Sequence, residues 1–159
     1  MKFLKTHYGR AINVIPSNTV NIPNPAGLGL TGTADGTVAG SIVDSTATFT
    51  TNLLGAIIVN TTDSTIANVI GFTDNTTLIL DADIFISGNE YSIYNSDNNQ
   101  GCSIYIPAQT PDKLRVLTVG GDIITFYECG DLNASLILPV NVLRVFSDDT
   151  NLTNLIALW

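Results

Sequence analysis

Apolar and polar positions alternate most clearly in the C-terminal third of the chain, where the pattern predicts antiparallel β-strands. Aliphatic and β-branched residues fill two runs, 113–119 and 122–128, and the glycines Gly120 and Gly121 separate them. Two glycines between such runs predict a two-residue hairpin turn, because those turns require positive φ. Both faces of the first run are largely apolar, so we expect the sheet to be covered on both sides.

The same reasoning predicts further strands at 11–15, 19–22, 103–106, 136–146 and 153–159. Pro139 interrupts the run 136–146, and a proline there indicates an edge, a bulge or a strand that passes between sheets. No long stretch shows the period of an amphipathic helix. We therefore predict an all-β protein, built as an antiparallel β-sandwich of the jelly-roll or immunoglobulin-like type.

Composition divides the chain into two predicted domains. Residues 26–94 contain neither proline nor cysteine, and the polar run 95–101 reads as a linker. We predict a base domain made of residues 1–25 and 100–159, with residues 26–99 inserted as a second, small β domain. Short strands expected in the insert, at 36–43, 56–60, 68–72, 77–80 and 91–94, favour a small barrel-like module.

Charge is sparse and unevenly placed along the chain. Only 13% of residues are charged and the net charge is −8, which argues against nucleic-acid binding. The first ten residues hold three basic side chains and no acid, and the last six are mostly apolar up to the chain end. Both ends are predicted to form an assembly interface, through Lys2, Phe3, Leu4, Lys5, Tyr8, Arg10, Leu155, Ile156, Leu158 and Trp159. Two alternatives stay open: a solvated N-terminal arm, and a last strand that completes the subunit's own sandwich.

The sequence contains few residues that could form a catalytic or metal-binding site. The chain has one histidine, His7, which cannot by itself supply a triad or a multi-histidine metal site. Cys102 and Cys129 are expected to be reduced, because no secretory signal precedes them. We predict no enzymatic activity, no cofactor, no metal and no membrane span.

Two pairs of carboxylates are the remaining candidates for a metal-binding or catalytic site. Asp81 with Asp83, and Asp148 with Asp149, lie in turn-like sequence. Such residues are predicted to be loop or cap residues, although calcium ligation and glycosidase chemistry also use paired acids.

The C-terminal block resembles small virion structural proteins of tailed bacteriophages. The resemblance rests on Leu138-Pro139-Val140-Asn141-Val142-Leu143-Arg144-Val145, on the polar loop Asp148-Asp149-Thr150-Asn151, and on the ending Ile156-Ala157-Leu158-Trp159. The insert is similar to a module of phage structural and fibre proteins. The matching positions are Val43-Asp44, Phe49-Thr50, Val59-Asn60-Thr61-Thr62-Asp63, Thr77-Leu78, Asp83-Ile84-Phe85, Gly88 and Tyr91.

The resemblance implies a non-enzymatic virion protein, assembled in the host cytoplasm. The expected role is capsid decoration or cementing, with the major capsid protein as partner and a homotrimer as the favoured state. Two alternatives remain: a neck, tail or fibre component, and a carbohydrate- or receptor-binding module. The last alternative predicts contacts to a host-surface glycan through aromatic residues of the insert or through Asp81 and Asp83.

Overall fold

The computed structural model describes residues 8–97 and 99–159, and within them the chain is almost entirely β-structure. In chain order the strands are β1 (Ala11–Asn13), β2 (Leu28–Thr33), β3 (Ser41–Val43), β4 (Ile57–Asn60), β5 (Thr65–Asp74), β6 (Thr77–Leu80), β7 (Glu90–Tyr94), β8 (Ser103–Ile106), β9 (Asp112–Thr118), β10 (Ile123–Cys129), β11 (Leu136–Ile137), β12 (Val142–Val145) and β13 (Ile156–Leu158). Two short 3-10 turns, Pro25–Gly27 and Thr51–Leu53, are the helical elements of this part of the chain. No helix in the described ranges is long and apolar enough to cross a membrane.

The chain divides into two compact units. The base unit comprises residues 1–16 and 100–159, and the inserted unit comprises residues 17–99. The sequence had placed the first boundary after residue 25, whereas the structure places it after residue 16. The second boundary, after residue 99, is the same in both.

The base unit contains two antiparallel sheets. One has the order β1-β13-β8-β11 and the other the order β10-β9-β12. Each sheet buries alternate residues: Ile104 and Ile106 in β8, and Leu114 and Val116 in β9, are fully buried. Two sheets that each bury one face give the β-sandwich class predicted from the alternation.

The chain passes from one sheet of the base unit to the other at Pro139, as one of the predicted alternatives requires. Before the proline, Leu136 and Ile137 pair with β8; after it, β12 pairs with β9. The predicted single strand 136–146 is therefore two strands in different sheets. Proline has no N–H to donate to a ladder, which is why pairing stops there.

The turn between β9 and β10 has three residues between its closing pair, Thr118 and Asp122, so the predicted two-residue turn is wrong. Residues 119–121 form the loop, closed by hydrogen bonds from Thr118 N to Asp122 O (2.9 Å) and from Gly121 N to Thr118 O (3.0 Å). Gly121 has φ +90°, the left-handed conformation that three-residue hairpins place at the end of the loop. Val119 belongs to the loop rather than to the strand.

The inserted unit is one antiparallel sheet with the order β2-β7-β4-β5-β6-β3. Its core includes Ile42, Phe49, Ile58, Leu78 and Ile93. The sheet of the described residues does not close into the expected barrel, because β2 and β3 are not paired strands. A hydrogen bond from Asp35 N to Val43 O (2.9 Å) joins the segment after β2 to β3.

Several strand boundaries differ from the prediction. The segment 28–33 forms β2, which the sequence reading missed, and the expected strand 36–43 is reduced to Ser41–Val43. No strand forms at 19–22, although Val20 and Ile22 are each only 3% exposed. The apolar pattern therefore identified burial at 19–22 but not pairing.

Candidate assembly surface

The C-terminal strand β13 lies inside the four-stranded sheet, between β1 and β8. Beyond the strand, the carbonyl of Trp159 accepts hydrogen bonds from the backbone N–H of Gly9 (2.6 Å) and Arg10 (3.2 Å), and Trp159 N donates to Arg10 O (3.0 Å). The end of the chain is thus fixed in its own unit by pairing on both sides.

The residues predicted for the interface are divided between core and surface. Leu155 is 2% exposed and belongs to the interior of the base unit. The half-buried residues are Tyr8, Ile156, Leu158 and Trp159, and Arg10 is exposed. Lys2, Phe3, Leu4 and Lys5 lie outside the described residues. The structure brings Arg10 next to Trp159, and the interface role of the surface residues stays a prediction.

A second surface, which sequence reasoning did not single out, is the outer face of the three-stranded sheet. Leu114, Val116 and Thr118 of β9 point inward and are buried, so the alternating residues of the strand lie on the opposite face. The residues of β10 and β12 that pair with this face of β9 lie on the same side of the sheet. We call it the assembly face, and it comprises Lys113, Arg115, Leu117, Ile123, Tyr127 and Arg144.

Apolar side chains of the assembly face are open to solvent. Ile123 is 55% exposed and Tyr127 is 71% exposed. The expectation that this sheet is covered on both sides is therefore not met within the described residues. Exposed apolar side chains beside cations are typical of surfaces that bind another protein.

Three cations of the assembly face lie against aromatic rings. Lys113 Nζ is 5.9 Å from the centroid of the Tyr127 ring. The guanidinium carbons of Arg115 and Arg144 are 4.7 Å and 5.7 Å from the centroid of Phe146. Ring faces attract cations, so these contacts hold the long side chains in place before any partner arrives. Partial burial lowers the pKa of Arg144, whose guanidinium nevertheless remains charged near neutrality.

Strand β10 also has an open edge, since β9 is its neighbour on one side and no described strand pairs with the other. Thr118 and Asp122 are joined by a backbone hydrogen bond, and bonded and non-bonded pairs alternate along an antiparallel ladder, so the backbone groups of Ile123 and Thr125 point to the open edge. The register shifts between Phe126 and Cys129, which limits regular pairing to the first part of the strand. An apolar open edge without proline or lysine is a template for pairing with another chain.

The two units differ sharply in charge. The inserted unit holds no lysine or arginine, and its acids are Asp35, Asp44, Asp63, Asp74, Asp81, Asp83, Glu90 and Asp97. Those eight acids account for the whole net charge of −8, because the other six acids and all six basic residues belong to the base unit. The basic side chains of the folded base are concentrated on the assembly face.

Both cysteines are free thiols, as expected. Burial raises the pKa of Cys102 to about 12, and its Sγ donates to Val142 O at 3.4 Å. Burial also raises the pKa of Cys129, against the smaller lowering effect of a hydrogen bond from the Gly130 backbone. Neither thiol is activated, because nucleophilic attack requires the thiolate.

The paired carboxylates have structural partners. Asp81 accepts from Asn68 N (2.8 Å) and from Asn68 Nδ2 (2.6 Å). Asp149 lies 3.7 Å from a guanidinium nitrogen of Arg115. Within the described ranges, no three His, Cys, Asp or Glu side chains are grouped so as to hold a metal ion.

Comparisons with known proteins give no match: no family model, no curated protein and no solved structure matches the chain.

Proposed function

We propose that this chain is a non-enzymatic structural protein of a tailed-bacteriophage virion, acting as a capsid decoration or cement protein that binds the major capsid protein. The observation that carries the proposal is the assembly face, with its exposed Ile123 and Tyr127, its ring-supported cations and the open edge of β10. The sequence resemblance supports the virion context.

The composition of the assembly face indicates what its partner must offer. Burying Ile123 or the ring of Tyr127 completely would contribute about 1.5–3 kcal/mol each. Lys113, which is exposed, would pair with a carboxylate on the partner, which adds specificity and speeds association. The partner surface is therefore apolar at its centre and acidic at its rim.

The inserted unit suits the solvent side of such an assembly. Its eight acids have no neutralising base within the unit, so copies on neighbouring subunits repel one another and stay hydrated. A decoration protein arranged in this way would contact the lattice through the base unit alone.

The deciding experiment is the copy number of the chain in purified particles of the phage that encodes it, measured by quantitative mass spectrometry against the major capsid protein. A ratio near one, or a simple fraction such as one third, supports lattice decoration. A few to a few tens of copies would move the protein to the neck, tail or fibres. Complete absence from particles would overturn the virion assignment.

The proposed homotrimer is tested separately, by light scattering of the purified chain across a concentration series. A mass three times that of the 16.9 kDa chain supports the trimer. A mass that stays at the monomer value at all concentrations contradicts a preformed trimer and would place any assembly on the particle itself.

A further inference from the structure

The inserted unit has a shallow groove that the proposed assembly role does not use. Three connections border it: the loop between β2 and β3, the turn between β4 and β5, and the loop between β6 and β7. Asp63, Thr65, Asp83 and Asn89 contribute polar side chains to its lining. Ile86, which also lines the groove, is 59% exposed.

A buried asparagine fixes the shape of the groove. Asn60 has no solvent exposure, and its Nδ2 donates to Ile84 O (2.6 Å) and to Asn89 Oδ1 (3.1 Å). Its Oδ1 accepts from the backbone N–H groups of Thr62 and Asp63, each at 3.0 Å. Since one side chain bonds to two of the bordering connections, the groove is formed before a ligand binds.

Asn89 leaves a donor unused at this site. The residue is 5% exposed, and its Oδ1 accepts from Ile86 N at 2.9 Å as well as from Asn60. The backbone N–H of Ile86 identifies Oδ1 as the oxygen and leaves Nδ2 as the other end of the amide. No described residue accepts a hydrogen bond from that nitrogen. That nitrogen is not among the buried polar atoms of the described residues that lack a partner, so solvent reaches it and a ligand in the groove can accept its hydrogen bond.

The groove also offers unused acceptors. Asp83 accepts from Gly40 N through Oδ1 (3.1 Å). Asp63 Oδ2 lies 3.2 Å from Asn60 Nδ2, whose two hydrogens have closer acceptors in Ile84 O and Asn89 Oδ1. The second oxygen of each carboxylate has no partner among the described residues. One amide donor therefore lies in the same groove as two carboxylate acceptors.

This combination selects the chemical class of the ligand. An anion is disfavoured by both carboxylates and by a unit that contains no basic residue. A metal ion is disfavoured by the N–H donor and by the small number of carboxylates. A hydroxyl group accepts from an amide and donates to a carboxylate, so it suits both kinds of partner.

We propose that this groove binds neighbouring hydroxyl groups of a neutral glycan, with Asn89 Nδ2 as donor and Asp63 and Asp83 as acceptors. The exposed side chain of Ile86 would pack against the C–H face of the sugar ring. The site uses Asp83 but not Asp81, whose oxygens are held by Asn68. Tyr91, an aromatic residue of the inserted unit, is 3% exposed and cannot stack on a ligand.

The test is saturation-transfer NMR between the full chain and a panel of neutral methyl glycosides and disaccharides, in buffer with EDTA. At least one glycoside should receive saturation from the protein. Asn89→Asp keeps both hydrogen bonds of Oδ1 and removes the donor, and Asp83→Asn removes an exposed acceptor. Each change should weaken the affinity about tenfold or more, the loss expected for one hydrogen bond to a charged or buried group.

Asp97→Asn is the matched control, because it removes the same charge at an exposed position of the inserted unit that does not line the groove. It should leave binding unchanged. The proposal is overturned if no neutral glycoside receives saturation, if Asn89→Asp and Asp83→Asn bind as the unchanged chain does, or if binding requires calcium. None of these outcomes alters the copy number that tests the virion assignment.

Discussion

The hydroxyl of Tyr91 donates a 2.8 Å hydrogen bond to Oδ2 of Asp44, and both side chains are buried in the inserted unit. Gly32 leaves the space for this contact, since a Cβ there would stand 2.5 Å from the Tyr91 hydroxyl oxygen and 2.7 Å from Asp44 Oδ2. The other carboxylate oxygen accepts from Thr46 N (2.9 Å) and Thr46 Oγ1 (2.7 Å). This buried carboxylate thus ties β7 to the segment that follows β3.

Replacing Tyr91 by phenylalanine should destabilise the protein by about 1–3 kcal/mol, because a buried carboxylate oxygen loses its donor. Urea denaturation followed by fluorescence measures the change in unfolding free energy. Tyr94→Phe is the control, because Tyr94 is half-buried and its hydroxyl makes no hydrogen bond to any described residue. Equal stability of the two variants would contradict the structural role of the Tyr91 hydroxyl.

Stability should fall in acid through Asp44. Burial opposes ionisation, but hydrogen bonds from Thr46, Tyr91 and Ala47 outweigh it and hold the pKa of Asp44 below its ordinary value of 3.8. The ionised carboxylate therefore contributes stability that is present above that value and is lost as the pH falls through the folded-state pKa. Denaturation midpoints measured from neutral pH to about pH 3 should decline at the acid end. Asp44→Asn should be less stable at neutral pH and show a shallower acid decline.

Placing a charge at Ala157 should unfold the base unit. Ala157 has no solvent exposure in the central strand β13, and an unpaired buried charge costs about 3–5 kcal/mol. Circular dichroism and thermal melting compare Ala157→Asp with Ala108→Asp, which makes the same change at an exposed position. Removing residues 154–159 should have the same effect as Ala157→Asp, and a truncated chain that folds and enters particles would contradict both expectations.

Changes on the assembly face should separate binding from folding. Tyr127→Ser combined with Lys113→Glu removes an exposed ring and reverses a charge, so stability should change by about 0.5 kcal/mol or less per site. Incorporation into particles, measured by mass spectrometry, should fall at least about tenfold. Ile79→Ser, an exposed apolar position of the inserted unit, should incorporate normally. Normal incorporation of the double variant would remove the assembly face from the proposal.

Thiol titration without reductant should find two reactive groups in denaturant and slow reaction in the native state. Cys102 is 3% exposed and its pKa is raised to about 12, so its thiolate is scarce and shielded. Cys129 is half-buried and should react first. Absence of thiols in denaturant would indicate a disulfide and contradict the free cysteines.

Some elements were predictable because local pattern decides them. Strands β6 and β8 have the predicted bounds, since their alternation is regular and turn residues flank them. Strand β2 was missed because Gly29 and Gly32 make its sequence look like a loop. Gly32 is explained by the approach of Tyr91 and Asp44, which are distant in sequence. No local rule shows that requirement.

For the candidate sites too, local pattern predicts one part and long-range contacts decide the other. Alternation within 113–119 already placed Arg115 and Leu117 on one face, but not whether anything covered that face. The groove depends on Asn60 meeting Asn89, a contact between residues far apart in the sequence. The groove is recognised by a side-chain donor from which no described residue accepts a hydrogen bond. That property can be seen only when the positions of the surrounding side chains are known.

The sequence alone determined that the chain is all-β, that its charge is sparse and acidic, and that a proline divides one predicted strand. These properties follow from composition and from a period of two residues, which the backbone imposes locally. Tertiary structure decided that β13 is an internal strand, that one face of the base unit stays open, and that Asp83 rather than Asp81 has a free oxygen in a groove. Those outcomes depend on which strands pair and which side chains meet, and pairing over long separations is set by the whole fold.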